Sequence, residues 1–140
     1  MYEYSCKVKR VVDGDTVDVM LDLGFDILYN CRVRLFGIDT PESRTRNLDE
    51  KARGKMASAF LKEAIDNGTK VVIQTKLKDS RGKFGRVLGN VVVDGKNINQ
   101  SMIENYHAVA YFGQNKEAIE AVHSANRTRL IELGLFKPVE

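Results

Sequence analysis

The chain has 140 residues, 43% hydrophobic and 29% charged, which excludes a disordered segment and leaves enough apolar material for a self-sufficient core. Its 22 basic and 19 acidic residues give a net charge of +3, compatible with a polyanionic partner but too weak to identify one. Two cysteines are too few for a disulfide scaffold, and no run approaches the ~20 apolar residues of a membrane-spanning helix.

The first third alternates. Tyr2, Tyr4, Cys6, Val8 and Val12 share one parity, the period of a half-buried strand. Asp13-Gly14 is a hairpin turn signal, and Val17, Val19, Leu21 and Leu23 form a second run ending at Gly24. Tyr29, Cys31, Val33 and Leu35 form a third, with Asn30, Arg32 and Arg34 on its other face. Cys6 and Cys31 therefore read as small buried apolar strand residues rather than ligands or a bridge.

Pro41 closes the third strand region, since it cannot donate to a ladder. From about Lys51 the period becomes helical: Ala52, Met56, Phe60 and Ala64 lie four apart, flanked by Ala57, Leu61 and Ile65, and Asn67-Gly68 ends the helix. Val71 to Leu77 and Arg86 to Val93 are two further strands, joined by a polar loop from Lys78 to Gly85. Asn97 caps a short helix from Ile98 to Tyr106. Gln114 or Asn115 opens a longer helix carrying Ala118, Val122, Ala125, Leu130 and Leu133, and Gly134 ends it. The expectation is an α+β chain forming one domain over residues 1–140: a five-stranded OB-fold-type β-barrel with three α-helices, one of them inserted after the third strand.

Three acidic residues stand where strands stop: Asp15, Asp39 and Glu42. In a twisted meander these ends can converge at one rim, and two carboxylates with a backbone carbonyl make a hard oxygen site suited to calcium or magnesium. Taken singly, Asp13-Gly14-Asp15 is more often only a hairpin turn, and Asp39-Thr40-Pro41-Glu42 only a strand end before a helix cap. Arg34 and Arg86 add planar, permanently charged donors of the kind phosphoryl transfer requires. His107 and His123 stand apart from any such cluster and read as packed or exposed helix residues.

Val11-Val12-Asp13-Gly14-Asp15-Thr16-Val17, Val33-Arg34-Leu35-Phe36-Gly37-Ile38-Asp39-Thr40-Pro41-Glu42 and Lys83-Phe84-Gly85-Arg86-Val87-Leu88 resemble, in order, the signature segments of the staphylococcal nuclease family. The likeness continues through Val92-Val93-Asp94-Gly95, Asn99 and the helix at Gly54 to Phe60, and so covers nearly the whole chain. The resemblance implies a calcium-dependent phosphodiesterase acting on DNA and RNA and leaving 3′-phosphate and 5′-hydroxyl ends. It implies that Asp15, Asp39 and the Thr40 carbonyl bind one Ca2+, that Glu42 activates or positions the attacking water, and that Arg34 and Arg86 stabilise the charged phosphorus. Lys83, Phe84 and Tyr111 would contact the substrate. Phe84 stands where the family carries a tyrosine, and Phe112-Gly113 does not reproduce a second stacking tyrosine, so altered preference for chain ends and weaker stacking are expected.

Two other readings remain open at this level. One is a binding module that holds nucleic acid on the same barrel without cutting it; retention of five acidic and basic residues suited to catalysis weighs against that. The other is a two-metal nuclease, which requires more bridging carboxylates. Asp18 and Asp49 are available, but Asp18 falls on a polar strand face and Asp49 in a charged, mobile segment from Ser43 to Arg53. Nothing suggests oligomerisation, so a monomer is expected. The N-terminus shows no basic segment followed by an apolar run, which leans toward the cytoplasm, although a chain with its leader removed would look the same.

Overall fold

A computed structural model describes residues 2–75 and 87–139. The alternating segments become strands β1 (Tyr2–Asp13), β2 (Thr16–Asp22) and β3 (Leu28–Leu35), followed by the two-residue β4 (Ile38–Asp39). After helix α1 (Leu48–Asp66) come β5 (Val71–Thr75), β6 (Val87–Val93) and the short β7 (Lys96–Asn97). Helix α2 (Ile98–Glu104), β8 (Val109–Ala110) and helix α3 (Lys116–Glu132) complete the chain.

The main sheet runs β3-β2-β1-β5-β6-β7, and β3 also pairs with β6 in parallel, Val33 opposite Val87. That extra pairing closes the five long strands into a mixed barrel of the expected OB type. Alternation set the inward face: Val17, Val19, Leu21, Val33, Leu35, Ile73, Val91 and Val93 are buried, joined by Ala57 and Leu61 of α1 and Met102 of α2. Each such side chain contributes about 1.5–3 kcal/mol on full burial. A register shift between Val8 and Arg10 turns both Lys9 and Arg10 outward, where Arg10 and Arg32 share Asp18. Asp18 is thus on the polar strand face, as expected.

All three helices begin on an asparagine whose side chain accepts an amide hydrogen of the first turn: Asn47 from Glu50, Asn97 from Gln100 and Asn115 from Ala118. Because Asn47 is the cap, α1 starts three residues before the expected Lys51, and Lys51 and Arg53 are helical. Asp49 is in its first turn, not in a mobile segment. Its carboxylate takes two hydrogen bonds from Arg127 (2.9 and 3.1 Å), one from Arg53 (3.1 Å) and one from the Val139 amide (3.3 Å).

The expected apolar face of α3 needs correction. Ala118, Val122, Ala125 and Leu133 are exposed, and of that set only Leu130 is buried. The face turned to the barrel carries Ile119, His123, Asn126, Arg127 and Leu130, still at helical spacing but mostly polar. The polar members are accommodated because each has a partner: Asp39, the Ala108 carbonyl and Asp49 respectively.

Candidate active site

Gly14 and Asp15 are the two central residues of the β1–β2 hairpin, flanked by the Asp13–Thr16 pair. A Cβ on Gly14 would lie 2.7 Å from the Ala57 Cβ and 3.2 Å from the Thr40 Cγ2, so the turn reaches Thr40 and α1 only because residue 14 is glycine. Asp15 is held from two sides. Thr16 Oγ1 donates to its Oδ1 (3.0 Å), and an Arg34 Nη lies 3.4 Å from its Oδ2. Arg34 faces outward on β3, opposite Thr16, and its other terminal nitrogen donates to the Leu35 carbonyl (2.9 Å).

Asp39 lies on β4, which pairs with β8. The segment after it is fastened at two points: Ser43 Oγ donates to Asp13 (2.6 Å), and the Glu42 amide donates to Glu50 of α1 (3.1 Å). Glu42 is therefore presented next to the hairpin. Its carboxyl is pushed above the ordinary carboxylate range, first by partial desolvation and then by the charges of Asp15, Asp13, Asp39 and Glu50. Asp15 thus lies against Arg34, Thr40 packs by the hairpin glycine, and the charges of Asp15 and Asp39 both act on Glu42, so these residues share one rim. Arg86, Lys83 and Phe84 lie outside the described residues.

Beside this rim, Arg34, Leu35, Phe36, Leu88, Tyr111 and Phe112 line a largely apolar cavity of about 420 Å³. Tyr111 is anchored by its amide to the Gly37 carbonyl (2.7 Å), yet its side chain is about half exposed. Phe112 is 80% exposed, so it does not cover the core.

The second correction concerns His123. It is not isolated: its Nε2 lies 2.8 Å from Asp39 Oδ2. Its helical spacing with Asn126, Arg127 and Leu130 could have marked an inward face in the sequence, but not the partner. His107, in contrast, is packed, though it lies past the end of α2 and not on a helix; it is tilted against Phe60 with its Nδ1 unpartnered and its pKa lowered by burial. No disulfide joins Cys6 and Cys31; burial, then the neighbouring Cys31, pushes Cys6 up to about 11.

Among the described residues no three His, Cys, Asp or Glu side chains gather in metal-ligating geometry. The donors at the rim are a smaller, all-oxygen set; Glu42 is raised first by desolvation and then by neighbouring carboxylates, and that second, repulsive part is what a bound cation would relieve. The rim residues therefore fit a hard divalent ion better than a thiolate- or imidazole-bound metal.

The family model for staphylococcal nuclease homologues matches residues 32–131. The chain belongs to the staphylococcal nuclease family. Among curated members, it is 37% identical over 103 residues to the SPbeta prophage-derived endonuclease YokF of Bacillus subtilis (strain 168), covering 73% of this chain and 33% of that protein. Similarity to endonuclease YhcR of the same organism is 33% over 116 residues, 79% of this chain and 9% of YhcR. An uncharacterized endonuclease of Escherichia coli is 30% identical over 135 residues, 96% of this chain and 78% of that protein. The chain thus spans less than half the length of the two Bacillus relatives. No helix among the described residues of this family member is long and apolar enough to cross a membrane.

Proposed function

We propose that the protein is a calcium-dependent nuclease, a single domain acting as a monomer, that hydrolyses phosphodiester bonds of DNA and RNA. The observation that carries this reading is the crowding of Asp15, Asp39 and Glu42 at one rim, with Arg34 against Asp15, in a member of the staphylococcal nuclease family. The endonuclease names of the relatives support the same class of reaction.

Asp15, Asp39 and the Thr40 main-chain oxygen would hold one Ca2+. When bound, the ion supplies positive charge against a non-bridging phosphate oxygen. Glu42 accepts a proton from the attacking water or holds that water in line. Arg34, fixed by Asp15 and the Leu35 carbonyl with donors to spare, stabilises the charge that accumulates on the phosphorus oxygens. Arg86 takes the same role by the family resemblance, with Lys83 and Phe84 contacting the neighbouring phosphate. Tyr111 offers a stacking surface at the mouth of the apolar cavity, which suits a base read by its face and accounts for tolerance of both DNA and RNA. Cleavage between phosphorus and the 5′ oxygen would leave 3′-phosphate and 5′-hydroxyl ends.

The test is cleavage of single-stranded DNA with calcium, with a chelator, and by Glu42→Gln with calcium. Calcium-dependent cutting, reduced at least about 100-fold by the substitution, with 5′ ends that a kinase phosphorylates without prior dephosphorylation, is the expected result. DNA that is bound but stays whole in every metal would sink the enzyme reading in favour of a binding module.

A further inference from the structure

Asp39 ends a strand only two residues long, and its side chain is 35% exposed. Packing alone does not settle how its carboxylate is turned, because the terminal torsion of an aspartate is broad and two-fold. The imidazole of His123 does settle it. That ring is 15% exposed and its Nε2 is 2.8 Å from Oδ2. An ionised carboxylate only accepts hydrogen bonds, so Nε2 carries the hydrogen and Oδ2 is engaged, leaving Oδ1 as the oxygen not claimed among the described residues.

The ring is itself fixed. Three residues on, Asn126 Nδ2 donates to the Ala108 carbonyl (3.1 Å), next to the β8 strand that pairs with Asp39's own strand. Four residues on, Arg127 grips Asp49 of α1 through two nitrogens, and seven residues on, Leu130 is buried. These positions share one helix face. His123 is thus delivered to Asp39 by a helix anchored on both the barrel and α1.

We infer that His123 is a positioning residue for the cation site: it orients Asp39 so that one defined oxygen is presented to calcium. Partners of this kind, behind a ligating carboxylate, raise metal affinity about 10- to 100-fold. The inference rests on the reading of Asp39 as a ligand. The competing account is that the contact merely docks α3, and the two differ in what they do to calcium binding.

Calorimetric titration of calcium alone into the whole protein separates them. His123→Ala should weaken calcium binding about 10- to 100-fold. His123→Gln, whose amide nitrogen can occupy the place of Nε2, should recover most of the loss. In an Asp39→Asn background, His123→Ala should cost nothing further. Thermal melting in chelator reports helix docking independently. If His123→Ala lowers the melting temperature but leaves calcium affinity within about twofold, or if glutamine fails to rescue a lost affinity, the positioning role is overturned while the calcium reading stands. If the unaltered protein takes up no calcium, the metal reading itself fails and this inference goes with it.

Discussion

Replacing Gly54 with alanine would place a methyl carbon 2.7 Å from the carbonyl carbon and oxygen of Glu42, and equally close to the Ser43 nitrogen. Ordinary contact begins near 3.4 Å, so α1 and the Glu42–Ser43 peptide must separate by about 0.7 Å. The obstacle is main chain and cannot rotate away. Two energies then oppose each other. Alanine inside a helix is worth about 1 kcal/mol more than glycine, while overpacking of this kind costs about 1–3 kcal/mol. The net destabilisation is therefore about 0–2 kcal/mol, a fall of a few degrees in Tm.

The effect on chemistry should be larger than the effect on stability. Misplacing a reacting group by about 1 Å costs on the order of 100-fold in rate, and Glu42 is tied to the displaced peptide. Gly54→Ala should thus lower kcat on single-stranded DNA by about 10- to 100-fold while the protein remains folded. Steady-state kinetics and a melting curve on the same preparation decide it. A kcat within twofold of the parent, with a raised Tm, would mean that α1 retreats without moving Glu42, and the proposed link between the helix and the carboxylate would be wrong.

Two further predictions concern the frame around the site. Asn99 is buried; its Oδ1 accepts from the Val91 amide (3.0 Å), and its Nδ2 donates to the Phe36 carbonyl (2.9 Å), the Gly89 carbonyl (3.3 Å) and Asn90 Oδ1 (3.0 Å). Asn99→Leu removes all of these bonds, the one to the Val91 amide included, and should cost about 2–4 kcal/mol, read as a lower urea midpoint; a loss under about 1 kcal/mol would contradict it. Asp49 is held below the ordinary carboxylate value of 3.8, first by Arg127, then by Arg53 and the Val139 amide. Its contribution is complete above 3.8 and is lost as pH falls through the lower folded-state value. Asp49→Asn should therefore be less stable than the parent at pH 7 by about 1–3 kcal/mol, with the gap closing in strong acid. A gap unchanged down to about pH 2 would show that the contact does not depend on charge.

The barrel was legible because strand alternation is a local signal: parity alone placed Val17, Val19, Leu21, Val33 and Leu35 inward. A shared rim could be proposed from the sequence because Asp15 and Asp39 fall where strands of a meander stop, and the turns reveal the order of those strands. α3 was misread for the complementary reason. Ala118, Val122 and Ala125 look like a core stripe, but they are small and the barrel does not need them. His123, Asn126 and Arg127 take the inward face because their partners, Asp39, Ala108 and Asp49, lie 84, 18 and 78 residues away in the chain. No local periodicity can register a partner at that distance.

The same contacts explain why the barrel alone does not make the site. Asp15 sits in the tight turn that joins two long paired strands and Arg34 on a third, so both are placed by the sheet. Asp39 and Glu42 are not; they sit on a two-residue strand and the segment after it, and their positions come from the helices. Glu50 of α1 takes the Glu42 amide, Gly54 of α1 lies against the Glu42 carbonyl, and His123 of α3 takes Asp39. Asp49 and Arg127 then join the two helices to each other. Half of the rim is thus fixed by polar contacts worth about 0.5–3 kcal/mol each rather than by core burial. Loosening either helix should spread those two carboxylates apart well before the barrel opens, so turnover and calcium affinity should fall at denaturant concentrations where the sheet is still intact.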